Sequence, residues 1–299
     1  MNIKTIGQLV CFTMWTVLLA AAEVSQPASY WTPLFDQKLS QWEIWIAVPQ
    51  PSVNVPGYVH ATDPKQDKPL GLNNDPLHVY RVRMVDGEPV LHISGEIFGG
   101  LTTLTNYGDF YLRVQQRWGT VKFAPRLHAP RDNGILYRCY GPHGVVNHAW
   151  KRCIECQVQE NDIGDFFALG VNGEVPSTNC PVPPGTRPIT RYVPGAPLQL
   201  NPGRCCRGSD YHELPNGELN TIEVMAVGDR FINILNGHVV NVLQNARRAV
   251  GEPKIPAVTG QIQIQSEGAE CEYRRMEIQP LAVFPPEYQA LFNTVVEPK

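Results

Sequence analysis

Along most of the chain, apolar and polar residues alternate with a period of two. Phe110, Leu112 and Val114 interleave with Tyr111, Arg113 and Gln115. Ile222, Val224 and Ala226 interleave with Thr221, Glu223 and Met225, and Ile262 and Ile264 with Gln261, Gln263 and Gln265. In an extended chain that period sends one face into a core and the other to water, so each segment predicts a half-buried strand. The same pattern runs through residues 42–47, 78–84, 90–94, 134–139, 231–235 and 271–278. Turn formers separate them, as in Asp86-Gly87, Asn106-Tyr107-Gly108, Asp132-Asn133-Gly134 and Asn236-Gly237. Only the tail, residues 286–292 with Pro286 in its first turn, predicts a helix. Many short strands without helical segments between them predict an all-β fold, a two-sheet antiparallel sandwich.

Two stretches lack the period and read as insertions. Residues 49–75 are rich in Pro, Asn and Asp, and residues 171–217 are dense in Pro and Gly and carry Cys180, Cys205 and Cys206. Strands of the same character resume after each, which predicts a single domain over 23–299. A loop as long as the second needs tying down. Cysteines are the expected ties, given what precedes the domain. Lys4, the apolar run from Leu9 to Ala20 and Ala20-Ala21-Ala22 make residues 1–22 read as a signal peptide, with export to a secreted or periplasmic location. Removing 22 of 299 residues leaves 277, with seven of the eight cysteines. In an oxidising compartment cysteines pair. Cys156 shares the apolar face of Ile154 and Val158 and is expected as a buried free thiol. The other six allow up to three disulfides in any of fifteen pairings.

Charge narrows the partners. The formal net charge is −3 and no dense Lys/Arg cluster appears, which argues against nucleic acid and anionic lipid surfaces. No later stretch is long and apolar enough for stable membrane insertion, and protein partners are unknown, with docking of another secreted protein by the cysteine-bearing insertion as one reading. The eight histidines show no H-x-H or H-E-x-x-H spacing, so a zinc site is not expected. No cofactor is expected, with a structural or catalytic divalent cation left open.

The candidate chemistry lies in Glu155-Cys156-Gln157-Val158-Gln159-Glu160. On an ideal strand Glu155, Gln157 and Gln159 share one face, and Glu160 falls on the apolar one, where an ionised carboxylate is costly. A one-residue bulge after Gln157 or Val158 would return Glu160 to the face of Glu155. Two carboxyl groups would then flank one cleft, the arrangement used to cleave glycosidic bonds. The spacing is similar to the E-x-D-x-x-E signature of laminarinase-type β-glucanases, with Gln157 where that family has Asp.

A longer set of motifs resembles the 3-keto-disaccharide hydrolase family. It includes Leu34-Phe35-Asp36-x-x-Leu39-Ser40-x-Trp42, residues 93–103, Tyr107-Gly108-Asp109-Phe110, Asp132-Asn133-Gly134-Ile135, residues 154–166, residues 220–224, residues 234–237 and Ile264-Gln265-Ser266-Glu267-Gly268. The resemblance implies a concanavalin A-like jelly roll and hydrolysis of glycosides oxidised at carbon 3. A ketone there acidifies the neighbouring C2–H, so a carboxylate can remove that proton and the aglycone can leave. On this reading Glu155 and Glu160 form the catalytic acid–base pair, with either assignment open. Gln157, Asn133, Arg138, His148, Trp150, Asp165, Gln263 and Gln265 are the candidate substrate-binding residues. The competing readings are a non-catalytic, lectin-like carbohydrate-binding module and a conventional laminarinase-like glucan hydrolase, since one fold hosts all three.

Overall fold

The structure, a computed structural model, describes residues 31–185, 189–200, 205–208, 211–249 and 254–292. The expected signal peptide and the side chains of Cys205 and Cys206 lie outside the described residues.

Among the described residues, nineteen strands follow in chain order. The first seven are β1 (Thr32–Pro33), β2 (Trp42–Ile46), β3 (Gly71–Leu72), β4 (Tyr80–Val85), β5 (Glu88–Ile93), β6 (Gly99–Thr103) and β7 (Phe110–Lys122). Then come β8 (Asp132–Tyr140), β9 (Arg152–Gln159), β10 (Phe166–Leu169), β11 (Val171–Cys180), β12 (Ile189–Tyr192), β13 (Leu198–Leu200) and β14 (Cys205–Arg207). The last are β15 (Asn220–Val227), β16 (Arg230–Leu235), β17 (His238–Arg248), β18 (Gln261–Ser266) and β19 (Ala269–Pro280). One α-helical turn, α1 (Pro286–Gln289), passes into a 3-10 turn at Ala290–Phe292, where the tail predicted a helix.

The strands form two sheets. The first runs β4-β5-β19-β7-β15-β16-β17. The second runs β3-β2-β6-β18-β8-β9-β10-β14-β12-β11. All pairs are antiparallel except β12 with β14. Strand β17 pairs with β16 through its first half and with β11 through its second, which joins the sheets along one edge.

The inner faces meet in one apolar core. Leu112, Val114, Ile222 and Val224 from the first sheet pack with Ile135, Ile154, Cys156 and Ile264 from the second. A smaller cluster, including Leu136, Trp150, Cys153 and Leu169, sits on the outer face of the second sheet under residues 141–150.

Residues 171–217 are not an aperiodic insertion. They contain β11 to β14, and β11 is a ten-residue strand despite Gly173 and Pro176. It holds because it pairs with β12, β13 and β17 at different points along its length. Among the described side chains no disulfide ties it. Cys139, Cys153, Cys180 and Cys271 are free thiols, as is the fully buried Cys156.

Candidate active site

Strand β9 carries the site because its register with β8 is regular. Gln159 lies opposite Asp132, Gln157 opposite Gly134 and Glu155 opposite Leu136. Period two then sends Glu155, Gln157 and Gln159 to the outer face, and Cys156 and Val158 into the core. On β8 it sends Asp132, Gly134 and Leu136 outward, and on β18 Gln263 and Gln265. Glu267 follows β18 by one residue and continues that outward face.

Of these, Asp132, Glu155, Gln157, Gln159, Gln265 and Glu267 line one cavity of about 280 Å³ with Arg126, Asn147, Trp150, Phe167 and Leu169. Gly134 makes the floor low. A Cβ there would stand 2.6 Å from Gln265 Oε1, and closer still to Glu155 Oε1. Asn147, at the exposed rim, holds a left-handed backbone at φ 48°.

Three carboxyl groups share this space in different electrostatic settings. Glu155 is 4% exposed and Asp132 3%. Arg126 Nη2 donates to Asp132 Oδ2 at 2.6 Å and to Gln159 Oε1 at 2.7 Å, and Arg126 Nη1 is 3.6 Å from Glu267 Oε1. Burial outweighs the ion pair at Asp132 and lifts its pKa to about 7. Burial, then the charges of Asp132 and Glu155, push Glu267 well above the usual carboxylate range against the pull of Arg126. Asp132 Oδ1 and Gln265 Oε1 are buried and accept no hydrogen bond from the protein. The amide of Gln157 accepts the Val158 N–H through Oε1 at 2.9 Å. Trp150 donates its indole N–H to the Gly99 carbonyl at 2.9 Å and stacks on Phe98.

Of the residues expected from sequence, Glu155, Gln157, Trp150 and Gln265 come together here. Glu160 does not join them. No bulge follows Gln157 or Val158, and β9 ends at Gln159. Glu160 therefore enters the turn, where Arg131 Nη1 and the Arg131 N–H donate to it at 2.5 and 2.6 Å and Asn216 Nδ2 at 2.6 Å. It lines a separate hollow beside Tyr211 and Glu213.

Asn133 points into the core, one residue out of phase with Asp132. It donates to the Gln265 carbonyl and accepts from Tyr273. Arg138 sits at the irregularity between Tyr137 and Tyr140, with φ 56°, and is fully buried. Its guanidinium lies over Phe110 and Phe231 and donates to the carbonyls of Tyr107, Gly108 and Gly228. Gln263 is tied to Thr102 and to the Lys151 N–H. Asp165 accepts from the Gly208 N–H and lines a smaller hollow with Arg207 and Tyr211. His148 is exposed, away from the cavity lining.

Sequence reasoning missed Asp132, Glu267 and Arg126 as site residues. The alternation on β8 and β18 was the available signal for the first two. Arg126 sits in a loop, and its sequence neighbourhood carried none. Among the described residues, no three His, Cys, Asp or Glu side chains are grouped to hold a metal ion.

Residues 30–279 match the family of 3-keto-alpha-glucoside-1,2-lyase-like domains. The chain belongs to this family. The match spans both sheets and every cavity residue, and it agrees with the motifs noted in the sequence. No curated protein matches the chain in sequence.

Among solved structures, the chain is similar to a candidate glycosyl hydrolase from Parabacteroides distasonis, at 14% identity, 84% of this chain, 100% of that chain and TM-score 0.44. It is also similar to a galectin-like protein of unknown function from Bacillus subtilis, at 8% identity, 85% and 96% coverage and TM-score 0.42. A third is a β-glucanase from Bacillus licheniformis, at 10% identity, 85% and 99% coverage and TM-score 0.39. The fold is an antiparallel jelly-roll sandwich. Membership of this family makes the protein a carbohydrate-related, glycoside hydrolase-like domain.

Proposed function

We propose that the protein cleaves 3-keto-α-glucosides by elimination and hydration. The supporting observation is that three carboxyl groups and one arginine line a single cavity, where burial lifts Asp132 to about 7 and holds Glu267 well above the usual carboxylate range.

Glu155 is the base that takes the C2 proton. The electron pair left behind delocalises onto the C3 oxygen as an enolate. The enolate then collapses: the C1–O bond breaks, C1=C2 forms and C3=O is restored. The departing aglycone oxygen takes a proton from water, the hydroxide so formed adds to C1, and C2 recovers the proton held by Glu155, which gives the free 3-keto sugar and restores the base. The enolate needs hydrogen-bond donors and positive charge nearby. Glu267, whose burial favours the protonated form, and Arg126 provide them. The Gln157 amide adds a donor without the repulsion that a carboxylate would bring. The unpaired acceptors Asp132 Oδ1 and Gln265 Oε1 suit sugar hydroxyls.

The test incubates the purified protein with a 3-keto-α-glucoside and with its unoxidised parent. Sugar release from the first alone is expected, and Glu155→Gln should lose roughly two or more decades of rate while melting at the same temperature. Equal release from the parent, or full turnover by Glu155→Gln, contradicts the proposal. Binding without release would move the protein to the carbohydrate-binding class.

A further inference from the structure

We infer that the cavity is divided along β9 into a sugar end and an apolar end, and that its preferred substrates are 3-keto-α-glucosides of apolar alcohols rather than 3-keto-disaccharides. The inference rests on the elimination chemistry proposed above and adds the identity of the leaving group.

The division follows from register. At one end of the outer face, Gln159 and Asp132 are paired neighbours, with Arg126 and Glu267 beside them. Every group there is charged or an amide. Two residues along β9 come Gln157 and the bare floor at Gly134, and two further comes Glu155. Beyond Glu155 the character reverses. Phe167 is its direct partner on β10, Leu136 its partner on β8, and Leu169 lies opposite Cys153 one step on. Such directly opposed side chains on one face stand in contact.

Trp150 closes this end. Its only donor is taken by the Gly99 carbonyl and its ring packs with Leu136 and Leu169, so it offers carbon alone. Phe167, Leu169 and Trp150 all line the cavity. Glu155 thus stands at the boundary between the polar and the apolar halves. A 3-keto sugar with its C3 oxygen toward Glu267 and Arg126 places C2 at Glu155 and the C1 substituent against Phe167. A second sugar in that place would set its hydroxyl groups against Phe167, Leu169 and Trp150, with only Asn147 at the rim to bond them, which is costly. A cyclic or planar hydrocarbon would bury apolar surface there instead.

The experiment compares kcat/KM for the 3-keto-α-glucoside of cyclohexanol and for a 3-keto-α-glucosyl-glucose. The sugar hydroxyl is the more acidic leaving group, so a preference for the cyclohexyl substrate reads the cavity wall against that bias. Wild type is expected to favour the cyclohexyl substrate by roughly tenfold or more. Phe167→Asn should narrow that ratio to about threefold or less, whereas Phe167→Leu, which keeps an apolar side chain, should retain it. Equal or better cleavage of the disaccharide by wild type overturns the inference and leaves the elimination reading intact. So does a Phe167→Asn variant that melts normally and keeps the full ratio. If neither 3-keto substrate is cleaved, the elimination reading itself falls and takes this inference with it.

Discussion

Gly134→Ala tests the site with a single methyl group. Gly134 has ordinary extended geometry in the middle of β8, so alanine brings no backbone strain and gains a little strand stability over glycine. The obstacle is spatial. The added carbon would stand 2.6 Å from Gln265 Oε1 and closer to Glu155 Oε1, whereas ordinary contact begins at 3.4 Å. Both side-chain ends must therefore retreat by about 1 Å, the scale of displacement that costs on the order of a hundredfold in rate when the moved group does chemistry. Because the atoms that give way are the tips of two side chains, the fold should lose only about 1–2 kcal/mol to overpacking. For a domain of this size that is a fall of a few degrees in melting temperature. Activity on a 3-keto-α-glucoside and thermal unfolding are measured on the same preparation. A large loss of kcat with a small shift in melting is expected. Undiminished turnover would show that Glu155 and Gln265 need not hold these positions, and the assignment of Glu155 as base would fail.

Glu160→Gln should cost about 1–2 kcal/mol by weakening its charge-assisted bonds to Arg131, with kcat/KM changed less than about threefold. A hundredfold loss would restore Glu160 to the chemistry. Asp132 has its pKa raised to about 7 by burial, above its unfolded value near 3.8, so the folded state holds its proton more tightly. The sign follows: this group's contribution falls as pH rises from about 4 to 7 and is flat above, a total change on the order of 4 kcal/mol. Asp132→Asn should reduce the fall of stability across that window in melts at stepped pH, with Glu267 supplying the remainder, and an unchanged slope would contradict the burial argument. Arg138→Ala strips the buried cation from three carbonyls and two aromatic faces. About 3–5 kcal/mol of stability should go with it, read by denaturant midpoint, and a loss under 1 kcal/mol would be inconsistent with its placement.

The alternation that exposed the strands also exposed the face of Glu155 and Gln157, because a regular strand leaves no other choice. It was weakest where one residue decides a face. Asp132 and Asn133 are adjacent polar residues at the start of β8, and the turn before them hides the phase. The true phase puts the acid in the cavity and the amide in the core. Glu160 was misplaced because a bulge was invoked to keep it off the apolar face, when the strand simply stops at Gln159. The real irregularity falls near Arg138, where the sequence carries no Gly or Pro to mark it. Strands β11 to β14 escaped notice because β11 carries Gly173 and Pro176 and the other three are only three or four residues long, too short to show a period. Glu267 lay in a recognised motif, yet its role depends on Asp132, Glu155 and Arg126, which only folding brings beside it.

Because β17 is hydrogen-bonded to β16 at one end and to β11 at the other, the jelly roll is stitched shut along that margin. Neither layer can swing away from the other like a jaw. The hollow opens on the outer face of the second sheet, so ligand enters and product leaves past Asn147 at its rim, while the pleated wall behind stays still. Selectivity in such a vessel is a matter of fit to a fixed mould, and changing its preferences means recasting side chains rather than loosening a hinge.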